Sequence, residues 1–203
     1  MDKQTEEILQ KIEEAEYVLV GLGQEFDMEF FLQSREDYRR IREQLQQQNV
    51  LWLLPYVEEH FRRQYLPEME AEIEKGLQKL AKVLEKKSYF VVSSSLNHKL
   101  AEVPWKKMLL KKERFVAPCG DWTKKQCPDG CEEGIQTVTE ADEEQLQESF
   151  KKLQTNGFSV PDLGKCPKCG KKLVLNNVYA GRYDEKGYLK TWTEYQNWLQ
   201  NTL

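Results

Sequence analysis

Apolar positions along this chain change their spacing several times, and each change predicts an element. Ile8, Leu9, Ile12 and Ala15 fall on one helical face, with Glu6, Glu7, Lys11 and Glu13 elsewhere, which predicts an opening helix. Tyr17-Val18-Leu19-Val20 is a short apolar run with branched residues, stopped by Gly21-Leu22-Gly23, and predicts a buried strand ending in a glycine turn. Over residues 34–47, Ser34 is a candidate N-cap, and Tyr38, Ile41 and Leu45 recur at helical spacing. Val50 to Tyr56 is apolar, but Pro55 argues against a central strand there. A longer helix is expected from Pro67 along the stripe Ile73, Leu77, Leu80 and Leu84. Tyr89-Phe90-Val91-Val92 then predicts a second buried strand, followed by Ser93-Ser94-Ser95. A helix between two short apolar strands implies a βαβ-like unit with a parallel sheet, and such sheets place ligands at the carboxyl ends of their strands.

From Phe115 the character changes. Glycine, proline and all five cysteines concentrate between Ala117 and Gly170. Within this stretch Thr139 and Asp142 are placed to cap a helix carrying Leu146, Phe150 and Leu153, ending near Asn156-Gly157. A last helix is expected over Leu189 to Gln200. The aromatic tail (Tyr188, Trp192, Tyr195, Trp198) is expected to pack against the cysteine-bearing module.

Composition narrows the class. The 203 residues are 39% apolar, 11% aromatic and 32% charged, which suits one folded domain with a small inserted module and argues against disorder. A net charge of -4 and a pI of about 5.5 give no basic footprint for nucleic acid. The lysine run between Lys106 and Lys112, flanked by Glu102 and Glu113, reads as a solvated face. The first residues are too charged for a signal peptide, and no apolar run approaches the ~18 residues of a membrane span. The expectation is therefore a chain of the reducing cytoplasm, whose cysteines serve as metal ligands or thiols before disulfides.

The cysteine spacing is the strongest chemical signal. Cys127-x3-Cys131 and Cys166-x2-Cys169 are two short chelating loops, and together they offer four thiolates in the tetrahedral arrangement that suits zinc. Pro128, Gly130, Pro167 and Gly170 favour the tight turns such loops need. Two disulfides, unrelated thiols or an iron–sulfur cluster are the alternatives. Four cysteine ligands leave no open position for water, so the ion is expected to be structural. Cys119 lies outside both pairs and reads as a partly buried free thiol.

Several segments together resemble the sirtuin family of NAD-dependent protein deacylases, in particular a divergent bacterial branch: AEYVLVGLG, SYFVVSSSLNHKL, the box APCGDWTKKQC, and CPKCGKKLVLNN with the tail YLKTWTEYQNWLQ. The resemblance implies an α/β fold, a Rossmann-like parallel sheet with a small four-cysteine zinc module. On that reading residues 1–116 form the Rossmann-like part, 117–180 the zinc module with its inserted helix, and 181–203 the C-terminal helix. The family's later strands have no counterpart before Leu203, so the sheet is expected to be incomplete.

The resemblance also implies site residues. Gly21, Leu22 and Gly23 match the glycine turn that approaches the cofactor pyrophosphate, and Ser95 and Asn97 fall where the family carries asparagine and aspartate near the ribose and nicotinamide. Cys119 stands at the position of the family's histidine base, and His98 is the nearest substitute. Gln24-Glu25-Phe26 replaces the family's small residues and brings a carboxylate where a phosphate belongs. The implied function is a sirtuin-like zinc protein with substituted catalytic positions. If active, it would remove acyl groups from a protein lysine using NAD. The alternative is a non-catalytic, zinc-stabilised module that binds a protein partner or a nucleotide. A third reading, redox or acyl-acceptor chemistry at Cys119, requires a depressed thiol pKa.

Overall fold

A computed structural model describes residues 3–102, 112–132, 134–155 and 157–202. The lysine run falls mostly on residues 103–111, outside the described residues. The chain is a mixed α/β fold containing two three-stranded sheets.

Helix α1 (Lys3–Glu14) leads into β1 (Tyr17–Leu22), a 3-10 turn at Gln24–Asp27, and the short α2 (Glu29–Leu32). Next come α3 (Glu36–Gln47), a second 3-10 turn at Leu51–Leu53, α4 (Leu54–Tyr65) and α5 (Pro67–Leu84). β2 (Ser88–Ser93) and β3 (Phe115–Val116) complete the first sheet, whose order is β1-β2-β3 and whose strands are all parallel. β1 runs through Gly21 to Leu22, past the expected stop, because Gly21 pairs with Val92 and Leu22 with Ser93. One face of this sheet, with Val18, Val20, Leu22, Tyr89 and Val91, packs on Leu77, Ala81 and Leu84 of α5. Pro67 opens α5 at its first turn, where its missing N–H costs nothing.

The second sheet is antiparallel, in the order β5-β4-β6, from β4 (Gly120–Gln126), β5 (Gln136–Thr137) and β6 (Val174–Asn177). Gly120 pairs with Asn177 at φ +69°, and a Cβ there would stand 2.3 Å from the Asn176 carbonyl oxygen, so only glycine fits. α6 (Glu140–Gln154) begins with the expected capping box: Thr139 and Asp142 exchange side-chain and backbone hydrogen bonds. Asp142 also accepts from the buried Lys125 ammonium at 2.7 Å, and Lys125 donates to the Leu163 carbonyl at 2.9 Å, tying β4 to α6.

Two expectations are corrected. Ser34 does not cap α3; its hydroxyl donates to the Phe31 carbonyl at 2.7 Å and closes α2, and Arg35 takes the cap position with an extended backbone. The aromatic tail lies on α7 (Leu189–Gln200) and packs on the parallel sheet rather than on the cysteine module. Trp198 meets Phe90 and Val116, and its indole N–H donates to Ser88 Oγ at 2.9 Å. The physical reason is that Phe90 and Val116 leave an apolar face opposite α5, and burying a large aromatic there contributes ~2 kcal/mol or more.

The helices between the two sheets are not committed to the first one. Tyr38, Ile41 and Leu45 of α3, Trp52 and Leu53, and Leu54, Val57 and Phe61 of α4 share one buried core with Trp122, Leu146, Phe150, Leu153 and Leu175. Cys127 and Cys166 belong to that same core.

Candidate functional site: a four-cysteine metal centre and the carboxyl edge of the parallel sheet

The two cysteine turns are built alike. After Cys127, the Gly130 N–H donates back to the Cys127 carbonyl at 3.0 Å, and after Cys166 the Gly170 N–H donates to the Cys166 carbonyl at 2.9 Å. Both glycines have positive φ, +68° and +73°, which reverses the chain tightly enough to turn two sulfurs inward. The sulfurs of Cys127, Cys131, Cys166 and Cys169 all lie within 4.8 Å of one another, and those of Cys127 and Cys169 are 3.5 Å apart. Metal–sulfur bonds of about 2.3 Å in a tetrahedron separate sulfurs by about 3.8 Å, so the set fits a metal ion. All five cysteines are free thiols, which removes the disulfide alternative for these pairs. Burial pushes the Cys127 thiol up, but backbone N–H groups of Cys131 and Asp129 at its sulfur outweigh that and hold it below the usual thiol range. Lys171 bridges the two turns through Asp129 at 2.8 Å, and Arg182 donates to the Asp129 carbonyl at 2.7 Å. Gly134 fits under the first turn because a Cβ there would meet Cys127 Cβ at 2.9 Å. Four cysteines can therefore hold a metal at a site whose two inner ligands are core residues.

In the parallel sheet, the carboxyl ends of β1 and β2 bring together Gly21, Leu22, Gly23, Ser95 and Asn97, as their positions in the sequence imply. Ser94 N–H donates to the Leu22 carbonyl at 2.8 Å and joins the two loops. What fills the space between them is Asp27. Its Oδ1 accepts from the Ser95 hydroxyl at 2.5 Å, the Leu96 N–H at 2.8 Å and the Asn97 N–H at 3.1 Å. Burial pushes the Asp27 carboxyl above its ordinary range, opposed by the Ser95 bond and the charge of Arg62. The Asn97 side chain donates to the Phe26 carbonyl and accepts from the Lys99 N–H, opening a helical turn at 99–102. Gly23 donates its N–H to Glu25 Oε1 at 3.2 Å, and a Cβ at Gly23 would lie 2.1 Å from that carboxylate. The amides of the glycine turn and of the Ser95 loop thus point at the chain's own carboxylates.

His98 lies just beyond this loop and is buried. Its Nδ1 is 2.7 Å from Glu59 Oε2 and its Nε2 is 3.4 Å from Glu102. The Trp122 indole N–H donates to the same Glu59 oxygen at 2.5 Å, and Arg63 engages the other oxygen. The His98 ring stands edge-on to Trp122 at 4.9 Å. Burial raises Glu59, but His98, Trp122 and Arg63 outweigh it and bring it down to about 2. Burial lowers His98, but Glu59 outweighs it and holds the imidazole above its ordinary value. This arrangement favours the protonated imidazole and ties His98 to Glu59 of α4 and Trp122 of β4.

Cys119 is half-buried in the turn before β4, and its carbonyl accepts from the Val178 N–H at 3.0 Å. Burial and the nearby Asp27 charge raise its thiol, opposite to the direction that thiolate chemistry at this position requires. Among the described residues no hydrogen bond or ion pair joins Cys119 to His98. His60 is structural: its Nδ1 contacts the Tyr56 carbonyl at 3.0 Å and its ring packs on Phe150.

Sequence reasoning missed Asp27, Glu59 and Trp122. The available signal was the acidic run Glu25 to Asp27 directly after a glycine turn, opposite a serine-rich loop. No helix among the described residues is long and apolar enough to cross a membrane. No protein-family description matches this chain, and no curated protein matches it in sequence.

Proposed function

We propose that this protein is a divergent sirtuin-like fold, stabilised by one structural zinc ion, in which NAD turnover has been lost. The observation that carries the reading is Asp27. In a nucleotide-binding fold the amides at the carboxyl edge of the parallel sheet receive phosphate oxygens. Here Leu96, Asn97 and Ser95 give their hydrogen bonds to Asp27, and Gly23 gives its N–H to Glu25. A dinucleotide would have to displace both carboxylates or sit beside their charge.

Three features add to this. Cys119 replaces an imidazole with a thiol whose pKa is raised. His98 is held by Glu59 and buried, which removes it from work as a neutral base. The four cysteines, with no fifth ligand among them, suit a structural zinc ion in a Rossmann-like protein of the cytoplasm. The zinc module then serves a binding role, toward a protein partner, instead of acyl-lysine turnover.

The test is calorimetric titration of the zinc-loaded protein with NAD, alongside nicotinamide release in the presence of an acyl-lysine peptide. No heat at millimolar NAD and no nicotinamide are expected. Micromolar binding without release would leave a nucleotide-binding module, and steady nicotinamide release would restore the deacylase reading.

A further inference from the structure

The parallel sheet is covered unevenly. In its register Tyr17, Leu19 and Gly21 of β1 stand beside Ser88, Phe90 and Val92 of β2, so these positions share one face. α7 covers the β2 side of that face, where Phe90 is fully buried against Trp198 and Tyr195. The β1 side is left open. Leu19 is 51% exposed and Tyr17 46%, and a Cβ built on Gly21 would meet nothing within 4 Å. A trough lined in part by Tyr17, Phe90 and Trp198 marks the step between the covered and the open parts.

The same three residues hold the free edge of the sheet, because β1 is the outer strand of the order β1-β2-β3. At the two ends of β1 the Ser88 N–H donates to the Glu16 carbonyl and the Ser94 N–H to the Leu22 carbonyl, so its even-numbered residues turn their backbone groups toward β2. Alternate residues of a strand turn theirs the other way, which leaves the N–H and C=O of Tyr17, Leu19 and Gly21 on the free edge. Among the described residues no hydrogen bond outside the β1–β2 ladder reaches them. Edge strands are commonly blunted by lysine, proline or a bulge. β1 has none of these: Tyr17 to Gln24 is uncharged and free of proline, and the pairing of β1 with β2 is unbroken from Tyr17 to Leu22.

The strand is also complementary to itself. With two copies laid antiparallel about a two-fold axis through Leu19, Leu19 meets Leu19 of the second copy. Tyr17 then lies opposite Gly21 of that copy, where no side chain competes for space. All three outward residues of each strand are paired, and each pair exchanges both of its N–H···O bonds. The chain has a net charge of -4, yet the contact strand is neutral, and the Glu16 side chains fall at opposite ends of the pairing. We propose that β1 pairs antiparallel with β1 of a second copy of this chain, joining two three-stranded sheets into one continuous sheet. Pairing of this length covers on the order of a few hundred Å2 per chain, less than the about 800 Å2 per partner of a stable interface, so the dimer forms and dissociates with concentration. Assembly stops at the dimer, because the two-fold consumes both β1 edges and the opposite edge strand, β3, is only Phe115–Val116.

The experiment is sedimentation equilibrium of the zinc-loaded full chain from micromolar to near-millimolar concentration. The mass is expected to rise with concentration from monomer to dimer and to go no further. Leu19→Pro should stay monomeric throughout. Because the Leu19 N–H faces away from β2, proline there removes no bond of the sheet, and the variant should keep the wild-type melting temperature. Leu19→Lys should weaken association by about tenfold or more, since it sets two like charges side by side on the axis. Val160→Lys, at a comparably exposed apolar site in the loop after α6, should leave association unchanged. Amide hydrogen exchange at Tyr17, Leu19 and Gly21 should slow as concentration rises, while that at Val18 and Val20, already turned to β2, should not change. A monomer at every concentration, a dimer that survives both Leu19→Pro and Leu19→Lys, or exchange at those three amides independent of concentration would overturn the proposal. Growth beyond the dimer would overturn the two-fold antiparallel arrangement.

Discussion

Replacing Glu59 with glutamine tests whether the buried charge network holds the two sheets together. The Glu59 side chain is 1% exposed, accepts from the Trp122 indole N–H at 2.5 Å and from Arg63, and lies 2.7 Å from His98 Nδ1 as an ion-pair neighbour. Glutamine keeps one acceptor oxygen but removes the charge and turns an NH2 toward one of these donors. A fall of the Glu59 carboxyl from 4.5 to about 2 corresponds to about 3 kcal/mol. Breaking a buried ion pair by removing one partner costs about 3–5 kcal/mol, which agrees. Glu59→Gln should therefore lower the unfolding free energy of the zinc-loaded protein by about 3 kcal/mol in urea at slightly acid pH. The pH dependence follows from the directions of the two shifts. Glu59, being depressed, contributes stability that is present above its unfolded pKa and lost only in strong acid. His98, being raised, contributes stability that is complete below its unfolded pKa and lost as pH rises through its folded one. The gap between wild type and variant should accordingly be widest in mild acid and shrink in base as the imidazole becomes neutral. A loss below about 1 kcal/mol, or a gap that stays flat across that range, would refute the reasoning.

Removal of the metal should destabilise more than the cysteine turns alone. Cys127 and Cys166 sit in the core that α3 and α4 share with α6, so chelation is expected to lower the melting temperature by ~10 °C or more, with one equivalent of zinc released per chain by elemental analysis. Gly120→Ala should cost about 2–3 kcal/mol through positive φ and the 2.3 Å approach to Asn176 O, measured by chemical denaturation; a neutral effect would show that the β4–β6 pairing is not as described.

The parts of the fold that read clearly were those with one strong periodicity. The runs around Val18 and Val91 became the paired parallel strands, and the α5 stripe became the helix covering them. Thr139 and Asp142 formed the cap that their spacing implied. β4 was invisible because its sequence, GDWTKKQ, reads as polar. It is nevertheless buried in part, since Lys125 finds Asp142 and Gln126 donates to the Arg182 carbonyl. Such burial depends on partners that are 17 and 56 residues away in sequence and leave no local signature. The destination of the aromatic tail was hidden for a related reason: Trp198 could cover any apolar face, and only the three-stranded topology decides which one is open. At the site, residue spacing located the four cysteines that the fold brings together and that could hold a metal, whereas Asp27 and Glu59 act by contacts across 69 and 63 residues.

The position of Asp27 has a further consequence for how such an edge evolves or is engineered. Parallel strands end in loops whose amides converge, and buried amides need acceptors. A ligand phosphate supplies them only while it is bound. Asp27 supplies them permanently, at 2.5 to 3.1 Å from three donors, and burial raises its carboxyl. Since its folded pKa is raised, burial outweighs the hydrogen bonds to the charged form, and ionisation of Asp27 opposes folding as pH rises. Removing the carboxylate would leave the Leu96 amide without its acceptor, while the Asn97 N–H keeps Ser95 Oγ at 3.1 Å, rather than open a ready nucleotide site. Phosphate binding at this edge would therefore require replacing both Asp27 and Glu25, because either one alone leaves an anion facing the Gly23 or the Leu96 amide.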